Sequence, residues 1–199
     1  MKPLILASGS PRRAKILRDL GVEFEVVKTE APEVSIPHNP VRTVTENACA
    51  KLHAALAATS AAAPVGLAGR AILAADTIVW FNNRIYGKPR NLDEAKEFLR
   101  ELSGQTHVVF TGVAFRAEDG TERTACVESH VTFRVLSEEM IDEYVARVHP
   151  MDRAGAYDID ESGDLIVASY TGSYENIMGL PVEPLRDFGI LESGLSSTH

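Results

Sequence analysis

Apolar and polar positions along this chain switch between a period near 3.6 and a period near two. Residues 3–7 form a short apolar run that breaks at Ser8-Gly9-Ser10. Pro11 then opens a helix, with Ser10 as its N-cap and proline at the first helical position. Ile16, Leu17 and Leu20 are its apolar stripe, and Gly21 ends it. Residues 24–27 read as a strand and 31–38 as a polar, proline-bearing loop. Asn39-Pro40 signals a second, longer helix, whose apolar side is Val41, Val44, Ala48, Leu52 and Ala55. Residues 60–69 are rich in Ala, Gly and Pro and read as a loop, the best place for an insertion. Two apolar stretches, 71–75 and 78–81, predict strands interrupted by Asp76-Thr77. Asn82-Asn83 is a turn, 84–86 a short return strand, and 92–102 a helix entered from Asn91. Residues 108–116 and 122–135 predict two long strands joined at Asp119-Gly120. Ser137 caps a helix running to Arg147, 152–164 is a Gly- and Asp-rich loop, 165–169 a strand and 181–188 a helix. Residues 193–199 read as a flexible tail, which leaves 1–192 as one domain. Strands alternate with helices around one hairpin, so the expected fold is α/β with a mixed sheet and flanking helices.

Composition narrows the function. The chain has 199 residues, enough for a real apolar core without disulfides or a structural metal. Its formal net charge of −8 argues against a dedicated partner of nucleic acid or anionic membrane, so any polyanion must meet a local basic cluster. Cys49 and Cys126 are far apart and in no CxxC pattern, which suits a reducing compartment. The first seven residues are too short an apolar run for a signal peptide, and no stretch of about 20 apolar residues is present to span a membrane. The cytoplasm is the expected location.

Several short motifs carry polar chemistry. Ser8-Gly9-Ser10-Pro11-Arg12-Arg13 lies where a strand meets a helix N-terminus, which offers backbone N–H groups and a positive dipole end to phosphate. Arg12 and Arg13 add fixed charge and forked donors; the plainer reading is an N-cap with two solvated arginines. Asp76 ends an apolar strand, where it serves as metal ligand, as general base, or only as a turn residue. Gly87-Lys88-Pro89 fixes a lysine in a tight turn that is no P-loop. Glu33 reads as a solvated loop charge, His107 as a structural hydrogen-bonding histidine, and His53 as a partly buried one. The turns at Ala154-Gly155-Ala156-Tyr157 and Gly172-Ser173-Tyr174-Glu175-Asn176 either line a pocket or only shape the chain.

Taken in order, the first motif, Glu33, Lys51, Ala75-Asp76-Thr77, Gly87-Lys88-Pro89, Ser103-Gly104-Gln105-Thr106-His107 with Thr111-Gly112, Arg153-Ala154-Gly155-Ala156-Tyr157 and the run from Gly172 to Pro181 resemble the Maf family of nucleoside triphosphate pyrophosphatases. The resemblance covers nearly the whole chain, and its specificity lies in the ordered set rather than in any one motif. It implies an elongated two-lobed α/β fold of Maf-like, ITPase-like architecture with a central cleft, often dimeric. It implies hydrolysis between the α- and β-phosphates with a divalent ion, Mg2+ or Mn2+, and makes Asp76 the catalytic acid. Arg12 and Thr77 look like the subgroup that takes dTTP and UTP. By the same resemblance Ser8, Ser10, Arg12, Arg13, Lys51, Thr77 and Lys88 would bind the substrate, and Glu33 with Asp76 would hold the metal.

Two positions depart from the pattern. Arg153 stands where a lysine is usual, and the Ile-Gln-Gly of the dTTP/UTP subgroup reads Ile159-Asp160-Glu161. The resemblance implies that Asp160 stands at a position that reads the base, and a carboxylate there accepts but does not donate. Two other readings compete with the pyrophosphatase: a nucleotidyltransferase, and a non-catalytic regulator that binds nucleotide. A pyrophosphate assay on a nucleotide panel separates the three.

Overall fold

One long strand organises the molecule, which is described here by a computed structural model over residues 2–61 and 69–191. That strand is β3 (Ile72–Phe81). It pairs antiparallel with β5 (Thr106–Arg116), residue for residue from Ile72 opposite Arg116 to Trp80 opposite Val108. β5 continues through the Asp119-Gly120 turn into β6 (Glu122–Phe133), and β6 carries the edge strand β7 (Val167–Thr171). On the other side β1 (Leu4–Leu6) runs parallel to β3, with β2 (Phe24–Val26) parallel to β1 beyond it. β4 (Arg84–Tyr86) returns antiparallel on the far end of β3. The result is a seven-stranded mixed sheet, as the alternation of elements predicts.

The period-two pattern of β3 explains how the helices attach. Leu73 and Ala75 face α1 (Pro11–Asp19), in a cluster with Leu6, Leu17, Val113 and Leu185 of α7 (Val182–Asp187). Ile72 and Ala74 face α2 (Pro40–Ala61), where Ala48, Leu52 and Ala55 close over them. A separate cluster surrounds the other end of the long strands. There α3 (Leu92–Leu102) and α4 (Glu138–Arg147) bring Phe98, Leu99, Ile141 and Tyr144 against Val79, Val109 and Phe133. Between the two apolar ends β3 and β5 present Asp76 and Thr77 opposite Gly112 and Thr111. This polar waist gives the fold its two lobes.

The remaining short elements are two 3-10 turns, Pro150–Asp152 and Ala154–Ala156, and the helices α5 (Gly163–Ile166) and α6 (Tyr174–Met178). Several expectations change. Asp76-Thr77 does not interrupt a strand, because β5 pairs straight through it. The strand expected over 165–169 begins only at Val167, since Leu165 and Ile166 belong to a helical turn that buries Ile166 under the α3–α4 cluster. Helix α6 has no apolar stripe to announce it; the Ser173 hydroxyl caps it by accepting the Asn176 N–H. Val41 is 46% exposed, not on the buried stripe. His53 is exposed and faces Glu122. Most of the 60–69 loop and the whole 193–199 tail lie outside the described residues. Among the described residues no helix is long and apolar enough to cross a membrane.

Candidate active site

The pairing of β3 is complete on its β5 edge and broken on the other. β1 reaches only Ile72 and Leu73, and β4 takes over only at Val79. Among the described residues, 74–78 have no strand partner on that edge. Side chains from both faces of β3 therefore open into the same gap, a cavity of about 990 Å³. β1 ends beside it and feeds the Ser8-Gly9-Ser10 turn into the N-terminus of α1. Where a strand order breaks in this way, α/β sheets commonly bind ligands.

The acid wall is set by a glycine. Gly112 lies opposite Asp76, and a Cβ built on it would sit 2.5 Å from the backbone C and O of Val44. Only a residue without a side chain lets α2 lie this close to the sheet. Asn47 and Lys51 follow Val44 at i+3 and i+7 on the same face of α2 and so arrive above Asp76. The Asn47 amide donates to Asp76 Oδ2 at 3.0 Å and to the Val34 carbonyl at 3.1 Å, while its oxygen accepts the Val34 N–H at 2.8 Å. Lys51 Nζ donates to Asp76 Oδ1 at 2.5 Å and pairs with Glu33 Oε1 at 2.8 Å. Asn47 thus pins the loop that carries Glu33. Burial opposes the charge of Glu33, but the hydrogen bond and charge of Lys51, aided by Lys88 and Arg13, outweigh it and hold its carboxyl below the usual range.

Thr77 points to the other face of β3. Its hydroxyl accepts from Arg13 Nη2 at 3.1 Å and lies 3.0 Å from the Thr111 hydroxyl. Arg13 also donates from Nε to the Gly179 carbonyl at 2.8 Å and from Nη1 to Ser8 Oγ at 3.1 Å. Burial pulls its pKa down to about 10, against the pull of Asp76, so it stays charged at neutral pH. Each nitrogen of this guanidinium has a protein partner. Arg13 thus cross-links the Ser8-Gly9-Ser10 turn, β3 and the end of α6 from within the cavity floor. Ser10 is at the N-cap position of α1 but makes no side-chain cap bond; its N–H instead donates to Ser8 Oγ at 3.1 Å.

The basic wall joins the start of α1 to two turns. Arg12, in the first turn of α1, crosses the cleft to Asp158 Oδ2 at 3.3 Å and the Asp152 carbonyl at 3.5 Å. Lys88 sits between β4 and α3, 3.4 Å from Asp152 Oδ1. The Gly155 N–H donates to the Gly87 carbonyl at 3.1 Å and ties the Lys88 turn to the segment carrying Arg153. Gly155 has φ +66°, and a Cβ there would press to 2.8 Å from the Val79 side chain. Arg153 pairs with Asp158 on one side and with Glu161 on the other.

The cavity thus gathers Ser8, Ser10, Arg12, Arg13, Glu33, Lys51, Asp76, Thr77 and Lys88, all expected from the sequence. Asp160 is the exception. It is not in the cavity lining; its carboxylate lies 3.7 Å from Lys15 Nζ and accepts from the Tyr174 hydroxyl at 3.3 Å. The turn after Tyr157 carries it to the outside of α1. Sequence reasoning missed Asn47, Asp152 and Asp158. Asn47 had a signal, a polar residue between Val44 and Ala48 on the buried side of α2; the other two had none.

Among the described residues no three His, Cys, Asp or Glu side chains cluster as a metal cage. Glu33 and Asp76 nevertheless converge on one cationic centre, Lys51 Nζ. Magnesium is commonly held by one or two carboxylates together with substrate phosphates, and this donor set fits an ion of that kind.

The family model for Maf-like protein matches residues 3–189. A dTTP/UTP pyrophosphatase of Bacillus cereus (strain ATCC 10987 / NRS 248) is 41% identical over 185 residues, 93% of this chain and 87% of that protein. One of Bacillus anthracis (strain CDC 684 / NRRL 3495) is 40% identical over 93% of both chains. Among solved structures, the Staphylococcus aureus Ham1 protein is similar over 66% of this chain and 72% of that one, at 12% identity and a TM-score of 0.47, too distant a likeness to speak to activity. With the family model spanning nearly its whole length and relatives at this level of identity, the chain belongs to the Maf-like protein family.

Proposed function

We propose that this protein hydrolyses dTTP and UTP to the monophosphate and pyrophosphate, with Mg2+ or Mn2+ as its divalent ion. The observation that carries this reading is the pairing of a nearly buried carboxylate, Asp76, with a facing wall of Arg12 and Lys88 in one cavity. A nucleoside triphosphate brings about four negative charges, which the chain as a whole repels and this wall locally attracts. The names of the two Bacillus relatives support the choice of bases.

The Ser8-Gly9-Ser10 turn and the N–H groups that open α1 receive phosphate oxygens, with the Ser10 hydroxyl unengaged by capping. Arg12 and Lys88 exchange Asp158 and Asp152 for phosphate oxygens. Asp76 faces the α-phosphate and takes a proton from the attacking water. Two of its lone-pair sites are filled by Asn47 and Lys51, and a carboxylate has about four. As the water oxygen bonds to the α-phosphorus, the bond to the oxygen shared with the β-phosphorus breaks, and pyrophosphate leaves with that oxygen. Arg12 and Lys88 stabilise the charge it carries away. A divalent ion held by Glu33 and Asp76 would neutralise phosphate charge and polarise the scissile bond. Cys49 and Cys126 are free thiols, which suits a reducing compartment such as the cytoplasm.

Incubation with UTP, dTTP and a nucleotide panel in magnesium tests the reading. Pyrophosphate should appear, and water labelled with oxygen-18 should leave its label in the monophosphate. Orthophosphate and a nucleoside diphosphate would mean attack at the γ-position and end the proposal. Product formed only with an added acceptor would favour a nucleotidyltransferase.

A further inference from the structure

We propose that Asp158 is a positioning residue for Arg12: it holds the guanidinium at the mouth of the phosphate turn and yields it to the incoming triphosphate. This rests on the pyrophosphatase reading above.

The site is built to present one carboxylate oxygen. Asp158 is 6% exposed, and its backbone is clamped at both ends by a single hydroxyl. Tyr144, fully buried on α4, accepts the Asp158 N–H at 2.8 Å and donates to the Asp158 carbonyl at 3.1 Å. Burial raises the Tyr144 pKa far above the ordinary tyrosine value, so the hydroxyl keeps its proton and both bonds persist. Oδ1 of Asp158 is taken by the Asp160 N–H at 2.8 Å. Only Oδ2 is left for charge, and it faces two arginines.

The two arginines are held unequally. Arg153 is in close contact with Oδ2 and is also fixed by Glu161, with 13% of its side chain exposed. Arg12 stands 3.3 Å from the same oxygen, and its side chain is 25% exposed. Arg153 therefore neutralises most of the Asp158 charge, and Arg12 is oriented by what remains. A weak, solvent-facing partner suits a donor that must be aimed before substrate arrives and released when it does. Arg12 belongs to α1 and Asp158 to the segment beneath α4, so this contact also spans the cleft between the lobes.

A carboxylate that both aims and restrains an arginine has a distinctive kinetic signature. Removing its charge frees Arg12 for ground-state phosphate, so KM falls. It also lets the fork wander, so kcat falls. Loss of folded protein alone would lower kcat and leave KM unchanged.

The test uses the full chain with magnesium and UTP. Asp158→Asn should lower kcat by about tenfold and lower KM by a few-fold. Both effects should shrink to within about twofold when Arg12 is already alanine, because the residue it acts through is gone. A KM that stays level or rises, or losses that persist undiminished without Arg12, would overturn the proposal. Asp158→Glu keeps the charge for both arginines but moves it by one methylene. Its KM should stay within about twofold of the parent while kcat falls several-fold. This variant carries the test if Asp158→Asn does not fold, as judged by circular dichroism, and an unchanged kcat in it would overturn the proposal. If the parent protein cleaves no nucleotide, the pyrophosphatase reading has failed. Titration with inorganic pyrophosphate then decides the role of Asp158: Asp158→Asn should bind it several-fold more tightly, and only while Arg12 is present.

Discussion

Asp76 shows 9% of its side chain to solvent, and both of its oxygens are held from one helix, by Asn47 and Lys51. Across the cavity Lys88 is 66% exposed and pairs with Asp152, itself 92% exposed. The first wall stands on β3 and α2, locked together by the close approach at Gly112. The second takes Arg12 from the first turn of α1 but Lys88 from an irregular turn, tied to the Arg153 segment by the Gly155 N–H donating to the Gly87 carbonyl. Chemistry needs a group fixed in place, and regular elements fix it. Capturing a charged ligand needs donors that can exchange one partner for another, and turns permit that.

The sharpest way to break this contrast is Asp76→Asn. Turnover should fall on the order of a hundredfold or more, with substrate binding largely kept because the basic wall is intact. Pyrophosphate release and equilibrium binding of UTP measure the two halves; retained turnover would make Asp76 a mere strand residue.

The opposite wall should respond through the phosphate contacts it supplies. Arg12→Ala and Lys88→Ala should each lower kcat/KM by roughly 1.5–3 kcal/mol, the worth of a charge-assisted hydrogen bond to phosphate. Arg12→Lys should recover only part of the loss, since an ammonium cannot replace a planar fork. Steady-state kinetics on UTP checks this, and unchanged values in both alanine variants would remove the residues from the site.

Gly112→Ala sharpens the comparison by damaging the acid wall from behind. The added methyl meets the backbone of α2 rather than a flexible side chain, so the helix must shift. Thermal or urea unfolding should show a loss of about 1–3 kcal/mol. Turnover should fall further than the folded fraction, because Asn47 and Lys51 move with the helix.

A fourth expectation concerns pH. His107 is 1% exposed beside Phe133 and Tyr157, and burial pushes its pKa down to about 3. Unfolded, it takes a proton near pH 6.5; folded, it does not until far lower. Its contribution is therefore full above about pH 6.5 and is lost as pH falls toward 3. Between neutral pH and pH 5.5 that amounts to about 1 kcal/mol. His107→Gln should lose less stability over this interval than the parent in paired urea titrations. The smallest effect is expected at Asp160, which faces Lys15 and Tyr174 outside the cavity. Asp160→Gln should leave the UTP-to-CTP ratio of kcat/KM within about twofold; a larger change would return Asp160 to the site.

The sequence by itself determined most of the elements and the residues that gather in the cavity. The 3.6-period stripe of α1, the caps at Asn91 and Ser137 and the turn at Asp119-Gly120 are local matters of propensity and hydrogen bonding, and local matters are legible. Motif resemblance then supplied Ser8, Arg12, Lys51, Asp76 and Lys88. Tertiary structure decided what those residues face. Asp76 reads as a strand end, yet pairing with Gly112 holds it inside a continuous strand. Arg12 and Arg13 are neighbours in sequence, yet consecutive helical positions point about 100° apart. One therefore crosses the cleft, and the other bonds to Ser8, Thr77 and Gly179 in the cavity floor. Asp158 and Asp160 differ by a single turn, yet one is clamped by Tyr144 into the cavity and the other is carried outside it. Such outcomes depend on which faces of distant elements meet, and a one-dimensional pattern does not record them.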